Sequence, residues 1–332
     1  MNEFVFFFNN VIVSGLVLGS VYALGAVGVT LVYGILRFAH FAHGDMMTMG
    51  AFFTLLIAWG LAALGLTAPI PLGIIALPVA IVVTAVVALG IDRAFYAPLR
   101  RHGAKPVTLL IASIGVTMMI QGLIRLAFGT GTYTFFADVP KRLYRLDVPI
   151  EGATRTINFT QPQVIMVAAT IAAVLALHFF LTRSRLGKAM RAVSDNADLA
   201  RVSGIDTRLV VRVTWIIAGG LACLAGTMLA LDVTLKPDLA FNIVLPIFAA
   251  AIVGGIGQPY GAIAGGYLIG FAETLAVFNW NAVLRPFRDV LPDWLPTNLA
   301  LVPTEYKLTV AFVILVITLL VRPSGIFKGQ QS

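Results

Sequence analysis

Four polar side chains stand inside or beside long apolar runs: Gln121, Arg125, Asp232 and Glu273. An ionised side chain at a bilayer centre costs about 2.5–3.5 kcal/mol, so each needs a partner or a task. The chemistry open to such groups is proton relay, ion coordination or contact with a polar solute in transit. No Asp/Glu/His series recurs through the apolar runs as a relay would require. Arg125 and Asp232 stand near the ends of their runs and can snorkel or pair there. Glu273 is deeper, close to Gly270 and Ala272, and suits either a pathway role or an interhelical hydrogen bond. His40 and His43 have a spacing that a metal could use, but only Asp45 accompanies them, so a structural role is expected. Cys223 is the sole cysteine and sits in an apolar run, where it reads as a small core residue. No G-x-x-x-x-G-K-[ST] phosphate loop occurs, so any ATP is expected to be used by other subunits. No paired catalytic groups stand out. Catalytic, metal and cofactor-binding residues are not expected, and neither is an enzyme.

The elements that position these groups follow from composition. Of 332 residues, 59% are hydrophobic and 11% charged, with a mean hydropathy of +0.94. A soluble domain carries roughly a quarter charged residues. Apolar windows of about 20 residues recur, each able to cross the hydrocarbon as a helix that satisfies its own backbone. The fold class is all-α, a polytopic membrane protein forming a single unit over residues 1–332. The alternation of a transmembrane barrel is missing. Spans are expected near 11–33, 46–66, 70–91, 107–128, 164–181, 213–235, 243–255, 261–280 and 306–321. The seventh is short enough to be re-entrant, which leaves eight or nine spans. The N-terminus lacks a basic region and a small-residue cleavage site, so no cleaved signal is expected.

Charge sets the orientation. Arg93, Arg100, Arg101 and Lys105 follow the third span, seven Lys/Arg lie within 182–212, and Arg322 and Lys328 follow the last span. Positive loops stay inside, so nine spans put the N-terminus outside and the C-terminus in the cytoplasm. The net charge of +8 is then a topology signal, and nucleic acid is not an expected partner. Residues 129–162 and 281–305 form the longer outer loops, the surface for an external partner. The 182–212 segment carries an apolar stripe, Leu186, Met190, Val193, Ala197 and Ala200, which is expected to face a soluble, energy-supplying partner.

Glycines mark the breaks. Gly254, Gly255, Gly257 and Gly261 with Pro259 cannot form regular helix and are expected to make a tight turn near the inner face. With no preceding strand, this is no dinucleotide loop. Gly261, Gly265, Gly266 and Gly270 then form a ridge for close helix packing. Gly44 and Gly261 each open an apolar helix after a turn, a weak internal similarity that suits either chance or the broken-helix repeats of transporters.

With these residues in view the chain resembles the integral-membrane permeases of branched-chain amino acid ABC importers, the LivH type. The resemblance rests on Gly19–Leu24 (GSVYAL), Phe38–Gly44 (FAHFAHG), Ala192–Gly204, Ala250–Gly266 (AAIVGGIGQPYGAIAGG) and Arg322–Phe327 (RPSGIF). It implies an inner-membrane import pathway shared with a second permease subunit, two cytoplasmic ATPase subunits, and a periplasmic substrate-binding protein. Asp198-Leu199-Ala200-Arg201-Val202-Ser203-Gly204 is similar to the EAA-x-x-x-G loop through which importer permeases dock their ATPases, with Asp198 for the usual Glu and Leu199 for an Ala. Arg191, Asp198, Ala200, Arg201 and Gly204 are the residues this assigns to coupling. Gly44, Gly254, Gly255, Gly257, Gly261 and Glu273 are candidates for the pathway or its helix breaks. Urea, short amides or another small carboxylate are alternative cargoes. The chain is too short for the extra N-terminal domain of urea permeases, which favours amino acids. An ion-coupled secondary transporter would need midplane ion ligands and no docking loop.

Overall fold

The computed structural model describes residues 2–136, 140–150, 153–284, 296 and 298–327. Lys328 and, in the 281–305 loop, residues 285–295 and 297 lie outside the described residues. Eight helical stretches are long and apolar enough to cross a bilayer. The first joins α1 (Asn2–Phe7) to α2 (Ser14–Leu36) through a π-helical turn. Then come α3 (His43–Ala63) and α4 (Leu72–Ile91), the latter running through a second π turn at Asp92–Tyr96 into α5 (Ala97–Arg101). After α6 (Pro106–Phe128) and α7 (Gln161–Arg183), α8 (Arg185–Asp195) and α9 (Ala197–Val202) lead into α10 (Thr207–Asp232). A short helix α11 (Val244–Gly254) precedes α12 (Pro259–Val277), α13 (Asn281–Leu284) and α14 (Lys307–Val321).

One feature departs from an all-α reading. The loop expected at 129–162 holds an antiparallel hairpin, β1 (Leu143–Ile150) with β2 (Ala153–Thr160), Leu143 opposite Thr160 and Ile150 opposite Ala153. Its alternating and β-branched residues suit a pleated ribbon. A two-stranded ribbon is marginal alone. Here Asn9 pins its edge, donating to the Thr156 carbonyl at 3.1 Å and accepting from the Asn158 amide at 3.0 Å.

The bundle has two unlike ends. At the hairpin end the Lys141 ammonium donates to the Asp232 carbonyl at 2.6 Å, and Tyr133 bridges to Leu235. At the basic end Arg37, α5, α8, α9 and the 255–258 turn come together. The chain crosses between these ends nine times among the described residues. The seventh crossing is not re-entrant. It leaves α10 at the hairpin end, descends unwound from residue 233 to about the middle, and finishes as α11 at the basic end. Eleven residues of helix span only about 16 Å, so the stretch 233–243, with turns at 237–240 and a 3-10 turn at Phe241–Ile243, makes up the rest.

Packing relies on close backbone approach, since lipid tails provide no hydrophobic drive between helices. Gly270 meets the α2 backbone at Gly19, Gly266 meets Ala23, and Gly265 meets the Ala250 carbonyl. A β-carbon on any of the three would collide with main chain. The most buried large side chains, including Tyr22, Trp215, Phe52 and Tyr96, surround α2, α3 and α10. Valines and isoleucines such as Val82, Val86, Ile111 and Val316 cover the outside, as expected for a lipid-facing surface.

Candidate functional site

Two helices begin inside the bundle, and they begin against each other. After α2 ends, Arg37 turns the chain with a left-handed φ of 57°, the sole positive φ outside glycine among the described residues. Residues 38–42 then climb back beside α2. His43 packs on Gly28, nine residues before Arg37, so α3 starts about 13 Å above the basic end. There Gly44 lies against Val244 and the Ala240 carbonyl, where a β-carbon would be only 3.0–3.1 Å from them. The Ala240 amide donates to the Thr48 hydroxyl at 3.1 Å, and Phe41 stacks on Phe248 with ring centroids 4.7 Å apart. The N-terminal ends of α3 and α11 thus meet at mid-depth, each presenting the positive end of a helix dipole. The partner of the Gly44 break is therefore the start of α11. Gly261, which resembles Gly44 in sequence, lies at the basic end against Gly254.

The buried polar groups form two chains. Gln121 donates to the Asp45 carboxylate at 2.9 Å and accepts from Arg125 at 3.2 Å, linking the start of α3 to the exposed guanidinium on α6. Glu273 is fully buried, accepts from the Tyr22 hydroxyl at 2.9 Å and lies 3.7 Å from the Lys307 ammonium. It ties α2, α12 and α14 together near the hairpin end, away from the junction of broken helices. His40 and His43 lie in an aromatic cluster with Tyr96 and Trp215, the His40 and Trp215 ring centroids 4.9 Å apart. Sequence reasoning did not single out Thr48 or Arg37, and it named Asp45 only as a neighbour of the two histidines. The polar positions flanking the F-A-H-F-A-H-G break were the available signal.

The basic segment is two helices broken at Asn196, not one. Ser184 caps α8 by accepting from the Gly187 amide at 2.8 Å. Asn196 caps α9 by accepting from the amides of Asp198 and Leu199 at 3.1 and 2.9 Å. Gly204 ends α9 with φ 84°, its amide bonded to the Arg201 carbonyl at 3.1 Å and the Ile205 amide to Ala200 at 3.0 Å. That is a Schellman end, which requires the left-handed residue glycine supplies. Most of the expected apolar stripe faces the bundle, with Leu186 half-buried and Ala197 exposed. Met190, Val193 and Ala200 are buried against the chain's own bundle, because the segment lies flat on the ends of α2, α7 and α10. What projects instead is Leu199 and Val202, 62% and 81% exposed, beside Arg201 and Asp198, whose charged groups are 3.6 Å apart. Arg191 is exposed on α8.

Two contacts fasten this unit to α2 and its turn, and further contacts tie the neighbouring 255–258 turn to α11 and the tail. The Arg37 guanidinium donates to the Ser194 carbonyl at 2.6 Å. Gly34 lies between Ser194 and Gly257, and the 255–258 turn packs on the C-terminal tail. The Ile326 and Phe327 amides bond the carbonyls of Val253 and Gly254 at 2.9 and 3.1 Å, satisfying the last carbonyls of α11. Gly255, with φ 112°, makes this turn. Contacts therefore lead from α8 towards both broken helices.

The comparisons agree along the whole chain. Residues 11–319 match the family described as branched-chain amino acid transport system / permease component. The chain is 31% identical over 332 residues to the high-affinity branched-chain amino acid transport system permease protein LivH of Escherichia coli K12, covering 100% of this chain and 99% of that one. It is 30% identical over 321 residues to the corresponding protein BraD of Pseudomonas aeruginosa, covering 96% and 95%. A probable branched-chain amino acid transport permease protein LivH of Methanocaldococcus jannaschii is 28% identical over 311 residues, covering 91% and 86%. No solved structure matches. This chain belongs to the permease-component family of branched-chain amino acid transport systems.

Proposed function

We propose that this protein is the membrane-embedded conduit of an importer that moves branched-chain amino acids into the cell. In this reading two cytoplasmic ATPase subunits grip α8–α9, a second permease subunit completes the pathway, and a substrate-binding protein docks at the hairpin end. The protein lies in the bacterial inner membrane with its basic end in the cytoplasm. One observation carries the reading: a helical unit outside the spans is anchored on them through its apolar side and offers a second apolar pair, Leu199 and Val202, to solvent. A soluble partner with a groove would bury that pair.

The chemistry is passage without covalent change. A zwitterionic amino acid crossing the mid-depth junction places its carboxylate near the amide ends of α3 and α11, which favour negative charge. Its apolar side chain finds Phe41 and Phe248. Pulling on α8 moves Ser194, and through Arg37 and Gly34 it biases the elbow before α3. The partners' nucleotide state then selects among arrangements of the broken helices.

The test is reconstitution. Proteoliposomes holding the permeases and ATPases, given binding protein and internal ATP, should accumulate labelled leucine, isoleucine or valine. Vesicles lacking the ATPases should only equilibrate. Concentrative uptake by this chain alone would overturn the proposal.

A further inference from the structure

The basic end holds a concave feature beside the coupling unit. Between the α4–α5 stretch and the starts of α9 and α10 lies a cleft of about 670 Å³ walled by Arg93, Arg100, Arg101, Arg201, Arg208 and Arg212. Asp92 is the one carboxylate in its wall, and Arg100 already holds it at 2.7 Å. Arg201 has only the exposed Asp198 at 3.6 Å, a contact worth little in water. Among the described residues Arg93, Arg101, Arg208 and Arg212 have no carboxylate within 4.0 Å.

Helix stability does not account for these charges. Arg208 and Arg212 stand in the opening turns of α10, where the helix dipole disfavours cations. The Asp206 carboxylate beside them faces the helix amides as a cap, accepting from Arg208 and Leu209 backbone at 2.9 and 3.2 Å. Four guanidiniums without a carboxylate partner line one space, and an anion there offsets their charge.

The neighbouring surface says what kind of anion. On the adjoining side of the same α4–α5 stretch lies an apolar groove of about 510 Å³, lined by Phe95, Leu99, Val116 and Met119 and running along α6. Both features sit where the spans emerge at the basic end. A cationic cleft beside a hydrocarbon-facing groove, at headgroup depth, matches an amphiphile with a phosphodiester head. A soluble polyanion would use the first and leave the second empty.

We infer that this cleft is a binding site for an anionic phospholipid of the cytoplasmic leaflet, with the phosphate held by Arg93, Arg208 and Arg212 and an acyl chain along Phe95 and Leu99. A lipid there bridges α4–α5 to the α9–α10 start and so braces the segment next to the coupling unit.

Native mass spectrometry of the full-length permease in detergent tests this, with phosphatidylglycerol, cardiolipin, phosphatidylethanolamine and phosphatidylcholine offered at equal concentration. The unchanged chain should retain the two anionic lipids preferentially. The R93Q/R208Q/R212Q variant, altered only at exposed positions, should lose affinity for them by about 100-fold, at about fivefold per charge removed. The variant R183Q/R185Q/K188Q removes the same charge from α7–α8, outside the cleft, and should bind as the unchanged chain does. Equal loss in both variants would mean diffuse attraction and would overturn the site. So would absence of preference in the unchanged chain, a measurement needing no variant. Displacement by inorganic phosphate as readily as by lipid would replace the lipid with a free anion. Retention of lipid by the cleft variant with loss of ATPase co-purification would assign the arginines to a protein partner instead.

Discussion

Replacing Thr48 with valine keeps the shape of the side chain and deletes one oxygen. That oxygen accepts the Ala240 amide at 3.1 Å, and both residues are wholly buried. The bond is the direct polar tie between the starts of α3 and α11. Valine leaves the Ala240 N–H without an acceptor, at a cost of about 1–3 kcal/mol. The tied arrangement then loses about five- to 150-fold in population against any arrangement in which that amide finds another acceptor. T48V is therefore expected to lower the thermal unfolding midpoint of the purified protein and, in the reconstituted system, to raise ATP-independent leucine leak at the expense of net uptake. T48S keeps the hydroxyl and should match the unchanged chain in both assays. If T48V behaves like the unchanged protein, the tie does not matter. If T48S fails as badly as T48V, keeping the hydroxyl does not rescue the protein and the hydrogen-bond reasoning is wrong.

The remaining predictions use independent features. Gly204→Ala meets open space but keeps φ near 84°, so it should cost about 1–2 kcal/mol through the backbone alone and reduce uptake more than expression. Uptake at the unchanged rate would remove Gly204 from coupling. Arg37→Ala loses one charge-assisted bond to α8, worth about 1 kcal/mol at its exposed position, and should lower leucine transported per ATP hydrolysed by about fivefold. Gly265→Val forces a side chain into the Ala250 carbonyl and should destabilise the α11–α12 contact by about 3 kcal/mol, read as loss of monodisperse protein. With Cys223 buried, single cysteines report topology: L146C should label from outside intact cells and H102C only after permeabilisation. The reverse pattern would invert the orientation.

Much of the fold was legible because lipid imposes a one-dimensional rule. Each span must be apolar over its own length and satisfy its own backbone, so spans appear as runs, and α6 begins one residue before its expected start and ends where expected. Glycine breaks were legible for a similar local reason: no helix continues through Gly254–Gly257. The seventh crossing was ambiguous since length alone cannot tell a re-entrant loop from a half-helix completed by irregular chain. The hairpin at 143–160 was missed because short alternating segments in a loop give a weak signal beside apolar runs of membrane-spanning length.

The stripe on α8 shows where local reading ends. Leu186, Met190 and Val193 announce an amphipathic helix, and spacing alone cannot say what the apolar side touches. Composition, periodicity and charge by themselves determined a many-span helical membrane protein, its basic face and its breaks, and short motifs carried its resemblance to a family, since each of these is a property of contiguous residues. Only the tertiary structure decided that α3 and α11 start against each other through Gly44, Thr48 and Ala240, that Gln121 belongs to Asp45, and that six arginines from distant segments enclose one cleft. These are contacts between residues tens to nearly 200 positions apart, set by how helices cross in space, and no window along the chain contains both partners.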